Sequence, residues 1–565
     1  MFLYKFSKNK TEKTFLDVKV FMELDDQNTC SFKLPSWRPG RYELQNFSQN
    51  VRDFTAKSSN GKLLKVFKED KDTWIVDSKG VHQLEISYSY YARQMDAGGT
   101  WVDDEQWYIN FITCAMLVNG QVDIPCEVRL ENPKDWKVAC SMVKTANGLL
   151  AKNFYELVDS PLIASSNLQH LDYTVQETHF HLWFQGEISL QSDKIIEGFT
   201  NFTKVQIALF GSFPTKEYHF LFQILPYGHY HGVEHAHSTV ITLGPHYDFY
   251  SEKMYNDFLG VSSHELFHTW NVTRLRPKEM VPYDFFNENY FNTGFIAEGI
   301  TTYYGDYMLK KSGVFSEEQY LKEINNLLNR HFSNEGRKHA SLVDSSVELW
   351  LDGYKKGIPG RKVSIYVEGA LAALILDLTL RLESNGKTSL DDVIKLLWKR
   401  HANGGYSFEQ YITCVNEIAG KDMQAYFDEF IEGKFSAEES LNHLLPKFGF
   451  LLQEKPSTNV EESRFGIKLQ WQNSVLKVTE VDGNSAAAGV LERNDEIIAL
   501  DGIKPEKKFG SMFNRDAVKI HFFSNSKLKE ATLKANDKKY FAIYEIIEDA
   551  NADEMAKEFK KAWLG

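Results

Sequence analysis

Residues 264–268 read His-Glu-Leu-Phe-His, and this spacing constrains the backbone more than any other feature of the chain. Residues four apart on a helix stand one above the other on the same face. A helix therefore lets His264 and His268 aim imidazole nitrogens at one metal ion while Glu265 sits beside them. Zinc suits the pair, because catalytic zinc takes three protein ligands and keeps a fourth position for water, whose pKa falls to about 7 there. A candidate third ligand is Glu298, 30 positions after His268 in Ala297-Glu298-Gly299-Ile300-Thr301-Thr302-Tyr303-Tyr304. A glutamate at a helix start also complements the helix dipole, and on spacing alone the two roles stand level.

At 565 residues the chain exceeds the roughly 250 to 300 residues at which single cores stop growing, so two to four domains are expected. From residue 1 to about 165 it reads as short alternating runs such as Thr14-Phe15-Leu16-Asp17-Val18-Lys19-Val20, broken by Gly, Asn and Asp, which predicts an antiparallel β domain. Strand-like runs continue to about 240, and helical spacing then takes over. Ser316-Glu317-Glu318-Gln319 reads as a helix start, and Ala370 to Leu382 as a buried helix. The centre is thus α+β and mainly helical. After about 440 short strands and turns return, and Asp553 to Trp563 reads as a final helix.

A net charge of -13 argues against nucleic acid as a partner, since that binding relies on clustered lysine and arginine. No uncharged apolar run approaches the roughly 18 residues needed to span a bilayer. Five scattered cysteines, with no CxxC pair, suggest neither a disulfide framework nor a cysteine-held zinc, and fit a reducing compartment. Charges at Lys5, Lys8, Lys10, Glu12 and Lys13 interrupt the apolar stretch a signal peptide needs. The expected location is cytoplasmic, or periplasmic where a leader has been removed.

Three segments in order resemble the glycyl aminopeptidase family of zinc peptidases, distant relatives of aminopeptidase N and thermolysin. They are HELFHTWNVTRLRP from His264 to Pro277, the AEGITTYY segment around Glu298, and Leu34-Pro35-Ser36-Trp37-Arg38-Pro39-Gly40-Arg41-Tyr42. The resemblance implies an N-terminal β domain over 1–165, a thermolysin-like α+β, mainly helical zinc peptidase domain over 166–440, and a PDZ-like domain with a C-terminal helix over 441–565. It also makes Glu298 the third ligand of one Zn2+ per chain, with Asn271 supporting the ligands from behind.

The resemblance carries roles for further residues. Glu265 becomes the general base that passes a proton from zinc-activated water to the leaving amine. Tyr366, in Tyr366-Val367-Glu368-Gly369, becomes the donor to the oxyanion, with Glu368 where the family pattern has lysine. Tyr366 also reads simply as an aromatic at a helix start. Glu234, in Gly232-Val233-Glu234-His235, becomes the anchor of the substrate's free α-amine on an edge strand, or a solvent-facing strand glutamate. The implied activity is removal of small N-terminal residues, Gly or Ala, from peptides. The PDZ-like part, marked by Phe465-Gly466-Ile467, implies capture of protein C-terminal tails, or a module that merely caps the catalytic domain. A zinc endopeptidase and a silent peptide-binding scaffold are the rival readings. The evenly spaced His229, His231, His235 and His237 would share a strand face and suggest a second metal site. Trp37, Tyr42 and the segment Tyr88 to Trp107 read as core or as the floor of the cleft.

Overall fold

Alternation of apolar and polar residues turns the first 165 residues into sheets. In Phe15–Glu23 every second side chain, Leu16, Val18, Val20 and Met22, is buried, as expected for a strand with one face on a core. The computed structural model describes residues 1–25, 27–355, 358–434, 436–537 and 539–565. A seven-stranded sheet runs in the order Val143–Thr145, Gly148–Ala151, Cys126–Leu130, Phe2–Lys8, Phe15–Glu23, Gln83–Tyr91, Val51–Ser58. Two four-stranded sheets, one including Thr29–Lys33 and Thr73–Asp77, the other Gln106–Ile109 and Leu162–Ser165, complete the region. The pairing departs from a purely antiparallel domain at one junction: Phe2–Lys8 lies parallel to Cys126–Leu130, with Phe2 opposite Cys126. The long intervening chain allows this, because parallel neighbours need a crossover rather than a hairpin.

The next sheet is mixed, in the order Gln169–Val175, Thr178–Gln185, Glu217–Ile224, Ser238–Gly244, His229–Glu234. Its inner three strands are parallel to one another, and the two outer strands are antiparallel to their neighbours. One face buries Phe180, Leu182, Phe184, Phe220 and Phe222 against the helices Ser192–Phe210 and Glu252–Phe267. Phe258 sits at the centre of that packing, 5.1 Å from the Phe222 ring and 5.4 Å from that of Phe199. Beyond it come Thr301–Lys311 and Val367–Glu383, the latter buried over most of its length, where the apolar run predicts a buried helix. Ser316 and Gln319 cap the helix Glu317–Ser333 reciprocally, each side chain accepting from the other's backbone N–H, at 3.1 and 2.9 Å.

The described residues divide into two units. The first comprises Met1–Tyr320, Ala340–Phe435 and Leu564–Gly565, and the second Leu321–His339 and Ser436–Trp563. The 165/166 boundary expected from sequence falls inside the first unit, and the second takes in Leu321–His339 from the stretch expected to be catalytic. Side-chain bonds hold that stretch in its unit. Asn329 exchanges hydrogen bonds with the backbone of Tyr544 (2.9 and 2.8 Å), Asn325 accepts from Ile546 N–H at 2.8 Å, and Phe332 stacks on Tyr544. The second unit also holds a five-stranded antiparallel sheet from Ile467–Gln472 to Lys527–Lys534 over its own apolar cluster. A two-stranded sheet, Phe450–Lys455 with Ile543–Glu548, and the helix Glu554–Leu564 complete the described elements. Among the described residues no helix is long and apolar enough to cross a membrane, and all five cysteines are buried thiols.

Candidate metal centre

Ser251 caps the helix Glu252–Phe267 by accepting from Met254 N–H at 3.3 Å, and His268 stands at its C-terminal end. The last turn stays helical through His268, whose N–H donates to the carbonyl of His264 at 3.2 Å. The two imidazole Nε2 atoms therefore come within 3.0 Å of each other. Glu298 Oε2 lies 3.3 Å from His268 Nε2 and 3.9 Å from His264 Nε2. One donor atom from each of the three falls inside a single small volume, as one ion requires.

Glu298 arrives there on an irregular turn. Phe295–Ile300 is a π-helical turn leading directly into Thr301–Lys311, and such turns frequently mark functional sites. Gly299 lets that turn press on the helix Val367–Glu383: a Cβ at 299 would lie 2.5 Å from the Cα of Gly369. Asn271 joins the ligand-bearing segments. Its carbonyl accepts from His268 Nδ1 at 2.7 Å, and its Nδ2 donates to the carbonyl of Ile296 (2.8 Å) and to Thr301 Oγ1 (3.0 Å). The backbone of Asn271 orients the imidazole, and its side chain orients the turn that carries Glu298.

Glu265 and Glu234 complete the cluster, each with an oxygen within reach of His268. Glu234 ends the strand His229–Glu234, the outermost of its sheet. That strand passes so close to Glu265 that a Cβ at Gly232 would collide with its Oε1, and a Cβ at Gly40 would lie 2.5 Å from Glu234 Oε2. Glu234, Glu265 and Glu298 are only 5%, 4% and 2% exposed, and Oε1 of Glu234 and Oε2 of Glu265 find no hydrogen-bond partner among the described residues. Burying three carboxylates is costly unless positive charge meets them. A divalent cation on His264, His268 and Glu298 fits that donor set.

The electrostatics follow from this crowding. Burial, reinforced by its carboxylate neighbours, holds Glu265 well above the usual carboxylate range. Burial also raises Glu234, with His268 opposing and Glu298 adding to the rise. Burial works against protonation of His268, yet the Glu298 carboxylate, supported by Glu234 and Glu265, lifts it to about 10. His264 is pushed well below its ordinary value by burial and then by His268.

Tyr366 immediately precedes the helix Val367–Glu383, with its hydroxyl 3.4 Å from that of Tyr354. Burial, then the Glu298 charge, pushes its pKa well up, so the hydroxyl keeps its proton. Glu368 acts locally, its Oε2 accepting from Ser364 N–H at 2.9 Å at the start of that helix. The structure thus brings together His264, His268, Glu298, Glu265 and Glu234, while Tyr366 is linked to them through the charge of Glu298. It adds Tyr42, whose hydroxyl donates to Glu298 Oε1 at 3.1 Å, and Arg38, 2% exposed, whose positive charge opposes the rise of the Glu265 pKa. Both lie in the Trp37-to-Tyr42 stretch, so the signal was present, although Tyr42 as core or cleft floor did not indicate a ligand contact. Trp37 is core, fully buried with its ring 5.0 Å from Trp350.

The histidines from 229 to 237 form no metal group among the described residues. The strand ends at Glu234, so His235 and His237 leave its alternation. His235 Nδ1 pairs with Asp159 at 2.9 Å, and His231 Nδ1 accepts from Ala97 N–H at 3.3 Å.

Comparison with known proteins places two segments of the chain in peptidase families. Residues 3–166 match the peptidase M61 N-terminal domain, and residues 257–372 match the M61 glycyl aminopeptidase family. No curated protein matches the chain. Among solved structures, an aminopeptidase N family protein from Idiomarina loihiensis is 27% identical with a TM-score of 0.91, the match covering 100% of each chain. An M1 zinc metallopeptidase from Deinococcus radiodurans is 15% identical with a TM-score of 0.48, over 77% of this chain and 94% of that one.

Proposed function

We propose that the chain, two segments of which match M61 peptidase models, is a zinc aminopeptidase that releases small N-terminal residues from peptides. The observation that carries this reading is the buried His264, His268 and Glu298 triad with two further carboxylates beside it. One zinc at this triad, when bound, would supply the Lewis acid that activates water and polarises the scissile carbonyl. Glu265, buried beside the triad with Oε2 unpartnered among the described residues, takes up the proton of the attacking water and hands it to the leaving amine. Tyr366 retains its proton and donates to the oxyanion. Glu234 meets the substrate's ammonium group, which supplies the positive charge its buried carboxylate needs.

The sheet edge supports the same reading. His229–Glu234 is the outermost strand of its sheet, along which a peptide can add as a strand and run toward Glu265. That edge also favours a second reading, a zinc endopeptidase, in which Glu234 anchors nothing. A cavity of about 260 Å³ is bordered by Glu234, Arg38, Asp159, Tyr155 and Tyr283. It has room for more than the methyl group of alanine, so leucyl substrates belong in the same assay. The C-terminal sheet, with Gly466 at φ +69 opening the strand Ile467–Gln472, is proposed as a PDZ-like module for protein C-terminal tails.

The experiment is hydrolysis of glycyl, alanyl and leucyl chromogenic amides by protein of measured zinc content, beside Glu265→Gln. Cleavage of small-residue amides, absent in the variant, supports the aminopeptidase. Equal cutting of N-acetylated and free peptides removes the exopeptidase claim.

A further inference from the structure

The mixed sheet has two faces, and the metal helix covers only one of them. Phe180, Leu182 and Phe184 point into the core shared with that helix, so His179, His181 and Trp183, alternating with them on Thr178–Gln185, point the other way. The parallel register sets Glu217 opposite His179 and His219 opposite His181. The antiparallel register on the other side sets Asp172 opposite His181 and His170 opposite Trp183. Three adjacent strands therefore collect four imidazoles and two carboxylates on one face, remote in sequence from the HELFH motif.

We propose that His181, His219 and Glu217 form a second metal site, for a divalent transition ion of the zinc class. One donor atom from each lies within 4.8 Å of the others, and two imidazoles with a carboxylate are a donor set suited to zinc. His170 Nε2 lies 3.0 Å from His181 Nδ1, the same nitrogen separation as at the His264 and His268 pair. It places a further imidazole against the site. His179 is held by Asp172 at 2.8 Å, which keeps that carboxylate facing the group. His219 is buried and Glu217 exposed, so the site is anchored at depth and open to entry from solvent. His219 Nδ1 accepts the Trp183 indole N–H at 3.2 Å; ligation through that nitrogen exchanges one neutral hydrogen bond for a metal bond and changes the surroundings of Trp183. The site is independent of the peptidase reading, since it shares no residue with the first triad. It would clamp Thr178–Gln185 to Glu217–Ile224.

The test uses the full chain, stripped with a chelator, dialysed against zinc and assayed for bound metal. Two ions per chain are expected for the native protein. One is expected for the His181→Ala/His219→Ala double variant, with amide hydrolysis unchanged, and one for His268→Ala, with hydrolysis lost. Glu217→Gln, at an exposed position, guards against misfolding and should weaken the outer ion by about tenfold or more. Zinc should also change tryptophan emission in the native protein and in His268→Ala, and not in Trp183→Phe. Zinc that is lost entirely in His268→Ala overturns the site, as does a double variant that keeps as many ions as the native protein.

Discussion

The Tyr42 hydroxyl donates to Glu298 Oε1 at 3.1 Å, joining residues 256 positions apart. Burial, then the Glu298 charge, holds Tyr42 well above its ordinary pKa, so it remains a donor at any working pH. The contact leaves Glu298 Oε2 facing the two histidines. The β region thereby takes part in building the centre.

Tyr42→Phe should isolate that hydroxyl. The ring keeps its edge contact with Phe291 at 4.9 Å, so the loss of fold stability should be only about 1 kcal/mol. Zinc affinity, measured by competition with a chelator, should fall about 10- to 100-fold, as is usual for a residue supporting a metal ligand. Unchanged affinity would show that the tie positions nothing.

Glu265→Gln should separate metal binding from turnover. Glu265 is not one of the three proposed ligands, so zinc at the triad should persist, while kcat drops by about 10²- to 10⁴-fold with the loss of the base. A variant that retains most of its kcat assigns the base elsewhere.

Glu234→Ala should discriminate between substrates. For peptides with a free N-terminus, kcat/KM should fall about 10- to 100-fold, the worth of a charge-assisted hydrogen bond of about 1.5 to 3 kcal/mol. N-acetylated peptides should be cut no worse than before. A parallel loss on both would show that Glu234 supports the fold or the metal and not the amine.

Gly299→Ala should injure fold and site together. Its methyl would meet Gly369 Cα at 2.5 Å, backbone against backbone with no flexible end to yield. Overpacking of this kind costs about 1–3 kcal/mol, readable as a lower denaturation midpoint. The displaced turn carries Glu298, so zinc affinity should fall in the same variant. Native stability and affinity would mean that the two helices separate freely.

The local parts of this protein are legible in its residues. Alternation marks strands such as Phe15–Glu23, and the four-residue step from His264 to His268 specifies a helix and a shared nitrogen target, because both are set by backbone geometry within one turn. The capping pair Ser316 and Gln319 is likewise local. The parallel join of Phe2–Lys8 to Cys126–Leu130 is not, since strand neighbours depend on which apolar faces find each other.

The same division runs through the candidate site. Sequence by itself determined the two imidazoles, the adjoining Glu265 and a short choice of candidates for the remaining roles, one of which, Glu298, was as well suited to a helix start. Only the tertiary structure decided that Glu298 faces the histidines, that Tyr42 holds it, and that Glu234 closes over the same space. It also moved the second histidine cluster from the evenly spaced residues 229–237 to His181, Glu217 and His219. The physical reason is that spacing along one strand governs which face a side chain takes, whereas a metal site needs atoms a few ångströms apart, and that closeness comes from pairing register between strands and packing between helices.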